Sequence, residues 1–211
     1  MSVLSKRSII YIDGFNLYYG ALKSTPYKWL NLQKYFELLR QDDQIQRIWY
    51  FTAEVSGNQL LRQRTYLEAL ETFPKIRTVL GLYKLKEVKC RVQSCHHRHR
   101  RTFRKPEEKR TDVNIALQML DDAYQGACER MVLVSGDSDL APAISLVKYR
   151  HPHIKVSVYV PAQNKKRAGA RELRSAADKH ATLPSALLPR TQLPQNLTNL
   201  RGDVISKPSS W

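Results

Sequence analysis

Two aspartates separated by a single residue, Asp137 and Asp139, stand directly after the apolar run Met131, Val132, Leu133 and Val134. The run has the length and composition of a strand buried on both faces, and the abrupt change to Ser135, Gly136 and Asp137 marks its carboxyl end. In an open parallel α/β sheet that edge borders the crevice where ligands bind. Two carboxylates so close repel each other and lose solvation, and a divalent cation between them relieves both costs. A second apolar run, SIIYID at 8–13, also ends on an acid, Asp13, followed by Gly14, Phe15 and Asn16. If the two strands are neighbours where the strand order reverses, Asp13, Asp137 and Asp139 converge, and Asp112, at the start of an amphipathic segment, is a fourth acid on the same edge. Taken singly, each has a simpler reading: Asp13-Gly14 as a turn, Asp112 as a first-turn partner of the helix dipole, Asp139 as an N-cap. Their joint placement favours a shared role. Hard oxygen donors with no histidine or cysteine beside them suit magnesium or manganese, and such ions serve phosphodiester hydrolysis.

The elements that must position these acids follow from periodicity. Strands are predicted at Ser8 to Asp13, Ile45 to Val55, Ile76 to Leu85, Met131 to Val134 and Lys155 to Val160. Helices are predicted from about Asn58 to Phe73, over Thr111 to Tyr124, from about Asp139 to Tyr149 and from Ala170 to Asp178. The helix at 111–124 is expected to bury Val113, Ala116, Leu117, Leu120 and Tyr124. Alternation of strand and helix implies an α/β three-layer sandwich on a mostly parallel sheet of about five strands. One domain over 1–182 is expected, with a basic arm at 86–110 inserted in it. The segment 183–211 has prolines at 184, 189, 194 and 208 but many apolar residues, and it reads as an extended arm laid on the domain or on a neighbour. A homodimer through that arm is left open.

The chain carries a formal net charge of +16, which points to a polyanionic partner, RNA or DNA before anionic lipid. The excess is concentrated: Arg98, Arg100, Arg101, Arg104, Lys105, Lys109 and Arg110 crowd one stretch that cannot pack a core, so it is an exposed loop or a β-arm. Phe103 within it could stack on a base or anchor the arm to the core. Cys90 and Cys95 with His96, His97 and His99 suggest a zinc clip only weakly, because the spacing lacks a second separated pair. Trp29, Trp49 and Tyr50 read as core. Three cysteines give no disulfide framework, and no run approaches the roughly 18 apolar residues of a membrane span. With the first strand starting within ten residues of Met1, a cytoplasmic protein with no membrane contact is expected. No GxGxxG or GxxxxGK[ST] occurs, so no nucleotide cofactor is expected.

Three segments together, Asp13-Gly14-x-Asn16, Glu108 to Ala116 (EKRTDVNIA) and Ser135 to Leu140 (SGDSDL), resemble the NYN domain, the LabA-like branch of the PIN-like superfamily. The resemblance covers about residues 8 to 178 and implies a Rossmann-like sandwich with metal-dependent ribonuclease activity. It assigns magnesium or manganese to Asp13, Asp112 and Asp137, with Asp139 assisting directly or through water, and it gives Asn16 and Ser135 supporting polar contacts. The arm would then hold the RNA. Many relatives carry a further acid in the helix where this chain has Gln118, and that departure keeps a second reading in view: a nucleic-acid-binding or regulatory scaffold with a weak or inactive metal pocket. Asp122, about 15 Å of helical rise from Asp112, is too far along to share the ion.

Overall fold

The computed structural model describes residues 5–92, 96, 102–162 and 171–211. In chain order, β1 (Lys6–Asp13) leads into the single turn α1 (Gly14–Leu17), a wide π-turn over Tyr18–Leu22 and α2 (Leu32–Leu39). Next come β2 (Asp43–Thr52), α3 (Leu60–Glu71), β3 (Ile76–Leu80), and the pair β4 (Leu82–Lys89) and β5 (Thr102–Lys109). The helix α4 (Thr111–Tyr124), β6 (Arg130–Val134), α5 (Ala141–Arg150), β7 (Lys155–Val160), α6 (Arg171–Ala176) and β8 (Lys179–Thr182) follow, and a small hairpin of β9 (Asn196–Thr198) and β10 (Val204–Ser206) comes last.

The main sheet has the order β3-β2-β1-β6-β7-β8 with every neighbouring pair parallel. It therefore has six strands, one more than expected; β8 is a short edge strand, exposed throughout and too polar to be read as one. The chain builds outward from β1 to β3, then returns to lay β6 on the other side of β1. The β1/β6 junction is thus the switch point, where two adjacent loops leave in opposite directions and open a crevice.

Alternation along β1 explains its central place. Ile10 and Ile12 enter one apolar layer with Trp29, Tyr35, Tyr66 and Leu70 from the α2/α3 face. Ile9 and Tyr11 enter the other with Ile115, Met119, Ile144 and Val147 from α4 and α5. Both faces are dry, as the near-continuous apolar sequence requires. Leu183, Leu188, Leu193 and Ile205 complete the first layer, where the Trp29 indole donates 2.7 Å to the Pro194 carbonyl. Trp29 and Tyr50 are buried as expected, while Trp49 is only partly covered.

Two expectations fail on geometry. The predicted third strand is two strands, broken at Gly81, where a Cβ would sit 2.7 Å from the Lys109 carbonyl and 2.8 Å from the Thr111 hydroxyl. The chain leaves the sheet there, and β4 pairs with β5 as an antiparallel arm from Leu82 opposite Lys109 to Lys89 opposite Thr102. On α4 the buried stripe is Thr111, Ile115, Met119, Asp122 and Ala123, not the expected one. Val113 and Leu117 are each 60% exposed and Tyr124 is 68% exposed, so this helix has two apolar faces. Composition alone could not choose between them; packing against β1 and β2 does, while Arg110, with a left-handed backbone (φ 77°), makes the turn from the end of β5 into the helix.

Candidate metal centre

Asp13 is the last residue of β1 and the cap of α1, 3% exposed. Its Oδ1 accepts the Asn16 backbone N–H at 2.9 Å. Its Oδ2 accepts the Asn16 side-chain amide at 2.5 Å and the Ser135 hydroxyl at 3.0 Å. Asn16 also ties the two loops together, since its Oδ1 accepts the Gly136 N–H at 3.1 Å. Ser135, fully buried after β6, accepts the Asp137 N–H at 3.1 Å, and Asp137 in turn accepts the Asp139 N–H at 3.0 Å. The switch-point loops are thus one hydrogen-bonded unit in which Asp13 is fixed by neutral donors and keeps its charge uncompensated.

Asp112 enters from the first turn of α4, and Glu108 from the end of β5. Burial pushes the Asp112 carboxyl up to about 6, with repulsion from Asp13, Asp137 and Asp139 adding to it. Burial likewise pushes Glu108 up to about 7; the Thr111 hydroxyl, which donates to it, opposes the rise, and Asp13 and Asp112 reinforce it. Burial also raises Asp13 against the pull of its hydrogen bonds. The Tyr50 phenol is raised by burial first, then by Asp13 and Glu108. Asp13, Glu108, Asp112, Asp137 and Asp139 therefore share one electrostatic neighbourhood, and among the described residues none of them has a cationic partner.

The structure thus gathers the acids Asp13, Asp112, Asp137 and Asp139 at one edge, with Asn16 and Ser135 binding the first of them. Asp139 is exposed at the rim. Glu108 is the residue the sequence reading passed over. Its signal was position: an acid four residues ahead of Asp112, at the joint between arm and helix. Gln118 donates to Asp122 at 3.2 Å, and Asp122 is buried by donors from Tyr11 at 2.8 Å and Trp49 at 3.0 Å, so that pair serves the core. Of the arm, Arg104 lies 3.9 Å from Glu87 and Lys109 2.9 Å from Glu107, while Arg110 is exposed at the turn. Phe103 is 52% exposed opposite Val88. Arg98, Arg100, Arg101, Cys95, His97, His99 and the Lys105 side chain lie outside the described residues.

As they stand, no three acidic, histidine or cysteine side chains among the described residues form a ready ligand set. The donor chemistry still fits a hard divalent cation: several carboxylates, one buried and oriented, with no ammonium or guanidinium between them. One lone-pair site on Asp13 Oδ1 remains free of the donors above.

A doubly wound parallel sheet with an acidic switch point defines a Rossmann-like, PIN-like α/β domain. The NYN domain family matches residues 7–184, and the chain belongs to it. It is 32% identical, over a 237-position alignment, to 6-hydroxy-3-succinoylpyridine 3-monooxygenase HspA of Pseudomonas putida, covering 97% of this chain and 75% of that one. A solved protein of unknown function from Vibrio parahaemolyticus superposes with a TM-score of 0.58 at 19% identity, over 92% of this chain and 99% of that chain, which speaks to the fold alone. No described helix is long and apolar enough to cross a membrane.

Proposed function

We propose that this chain is a metal-dependent ribonuclease that hydrolyses RNA phosphodiester bonds at the β1/β6 crevice. The observation that carries this reading is the set of carboxylates left without cations at the switch point of a protein whose net charge is +16. Asp13, Asp112 and Asp137 would hold magnesium or manganese, and Asn16 and Ser135 keep Asp13 turned toward it. The bound ion would supply positive charge to the reacting phosphate and acidify the attacking water. Glu108 and Asp139, in the same acidic neighbourhood, would complete the set, Asp139 from the rim, and a bound cation would draw the raised Glu108 carboxyl back toward its ionised form. The basic arm, with Arg98, Arg100, Arg101, Arg104, Lys105, Lys109 and Arg110, would grip the strand through its phosphates.

The test is a labelled single-stranded RNA incubated with manganese and either wild-type protein or Asp137→Asn. Cleavage that disappears in the variant supports the reading, whereas equal cleavage marks a contaminant. Manganese binding with no cleavage by the wild type would favour the scaffold reading instead. The likeness to HspA favours a further reading, oxygenation of a pyridine ring, which predicts dioxygen uptake when 6-hydroxy-3-succinoylpyridine and a reductant are supplied.

A further inference from the structure

Behind Gly14, on the face of the sheet that carries α3, a second cavity lies apart from the carboxylates. Its water-accessible space is about 80 Å³, on the scale of a single ring, and it opens to solvent at its mouth. Tyr18, Tyr50, Tyr66 and Trp211 are among the residues of its wall, and Lys28 and Arg62 stand at it. The rings are held by one another: Tyr66 lies 5.9 Å from Trp29, 5.7 Å from Trp211 and 6.2 Å from Tyr50 between centroids. The Tyr66 hydroxyl donates 2.8 Å to the Leu30 carbonyl, so this ring cannot swing away to fill the space. A wall of anchored aromatic rings suits another flat ring, because offset or edge contacts are favourable between rings.

The charges at the cavity are all of one sign. Among the described residues no Asp or Glu lines it, and neither Lys28 nor Arg62 has an acidic partner. Arg64, two positions further along α3, shows the contrast: its guanidinium is paired with Glu54 at 2.7 Å. Arg62 makes one bond, 3.0 Å to the Ser210 hydroxyl, leaving most of its donors for something else. Half-buried cations against an apolar hollow select an anion. The cavity also adjoins the acidic centre, for Gly14 and Tyr50 form a common wall. A Cβ on Gly14 would fall 2.8 Å from the Tyr50 ring and 2.9 Å from its hydroxyl.

We infer that this cavity binds a planar aromatic ring carrying an anionic group, held by the tyrosine and tryptophan faces and by Lys28 and Arg62. Two sources share that chemistry: a nucleotide, which would make the cavity a base subsite next to the cleavage centre, and a small aromatic carboxylate. The inference does not rest on hydrolysis, and its test reads binding alone. The full chain, in EDTA, is titrated calorimetrically with adenosine 5′-monophosphate and with 4-hydroxybenzoate, alongside adenosine, which lacks the anion, and ribose 5-phosphate, which lacks the ring. At least one of the first two binds, at least about tenfold tighter than either control, and Arg62→Gln or Lys28→Gln weakens it about tenfold at unchanged melting temperature. Preference for the nucleotide assigns the first source, preference for the carboxylate the second. Binding of neither, equal binding of the controls, or indifference to both substitutions overturns the inference. Because the metal is chelated throughout, that result leaves RNA cleavage untouched, and an inactive but ligand-binding chain separates the two in the other direction.

Discussion

The acids at three strand starts and the acids at the β1/β6 switch point of the central sheet are treated in opposite ways. At the amino edge three acids beside strand starts meet cations. Asp43, at the start of β2, is bonded by Arg40 at 2.7 Å and by the Arg130 guanidinium. Glu129, just before β6, is bonded by Lys6 at 3.1 Å, and Asp178, just before β8, has Lys148 at 3.4 Å and Lys155 at 3.8 Å. At the carboxyl edge Asp13, Glu108, Asp112 and Asp137 face one another instead, although the chain has 35 Lys and Arg to draw on. Burying charge without a partner is costly, and a protein with so many cations need not bear that cost for stability. The paired acids of the amino edge hold the fold, and on the reading proposed above the unpaired carboxylates of the carboxyl edge would receive a cation from solution.

Substitutions at matched positions should break this contrast cleanly if it is wrong. Asp112→Asn should reduce manganese affinity and RNA cleavage by at least about 100-fold, as loss of a ligand does, while the metal-free protein becomes slightly more stable at pH 8 because one repelling charge is gone. Calorimetric manganese titration and urea unfolding measure the two effects on the same sample. Asp43→Ala should do the reverse. It strands two guanidinium groups and costs about 3 kcal/mol of stability, with manganese affinity unchanged. A cleavage defect in Asp43→Ala larger than its unfolded fraction would remove the distinction between the edges.

The pH dependence sharpens the contrast further. Asp112 and Glu108 have folded-state pKa values raised to about 6 and about 7, so the folded protein binds protons more tightly than the unfolded chain. Their contribution is most favourable at low pH and is lost as pH rises from about 4 to about 7. After allowance for their partial exposure this amounts to about 2 kcal/mol in EDTA, and saturating manganese should abolish the slope. Asp178 has the opposite sign. Burial raises it, but the Val156 N–H and Lys148 outweigh burial and leave it below the ordinary range, so its stabilisation is lost only as pH falls below about 4. Urea midpoints across pH, with and without manganese, separate the two groups.

What could be read from the chain beforehand follows the same division. Strand exits that end on acids are local events: an apolar run, then Asp13 or Ser135 to Asp139, and the switch point is where the parallel topology puts them. Lys155–Val160 emerged with its predicted ends, because a β-branched run between polar flanks has one solution. The buried face of α4 was misassigned because apolar residues occur on both sides of that helix, and only the packing against β1 and β2 selects Ile115 and Met119. The inward turn of Glu108 was not legible for a related reason. On β5 it is one of two adjacent acids, and which one turns inward depends on register with β4, where it lies opposite Tyr83 and not on the solvent side with Glu107, which pairs with Lys109. The aromatic cavity could not be anticipated at all, since its walls come from four separated stretches, from Gly14 to Trp211.

Ser135 gives the smallest expected effect and the finest test of the carboxyl edge. Its hydroxyl donates to Asp13 Oδ2 at 3.0 Å and accepts the Asp137 N–H at 3.1 Å, so one side chain holds two proposed ligands 124 positions apart in sequence. Ser135→Ala removes both bonds while leaving every carboxylate in place, and the vacated volume is that of one hydroxyl. If the acids act as a positioned set, manganese affinity should fall about tenfold with little change in stability, the usual size of a loss in the groups that orient metal ligands. Ser135→Thr keeps the hydroxyl but adds a methyl to a fully buried site, so it should recover affinity at some expense of melting temperature. An alanine variant that binds manganese as tightly as wild type would mean that Asp13 and Asp137 need no orientation, and the amino and carboxyl edges would then differ in charge pairing but not in purpose.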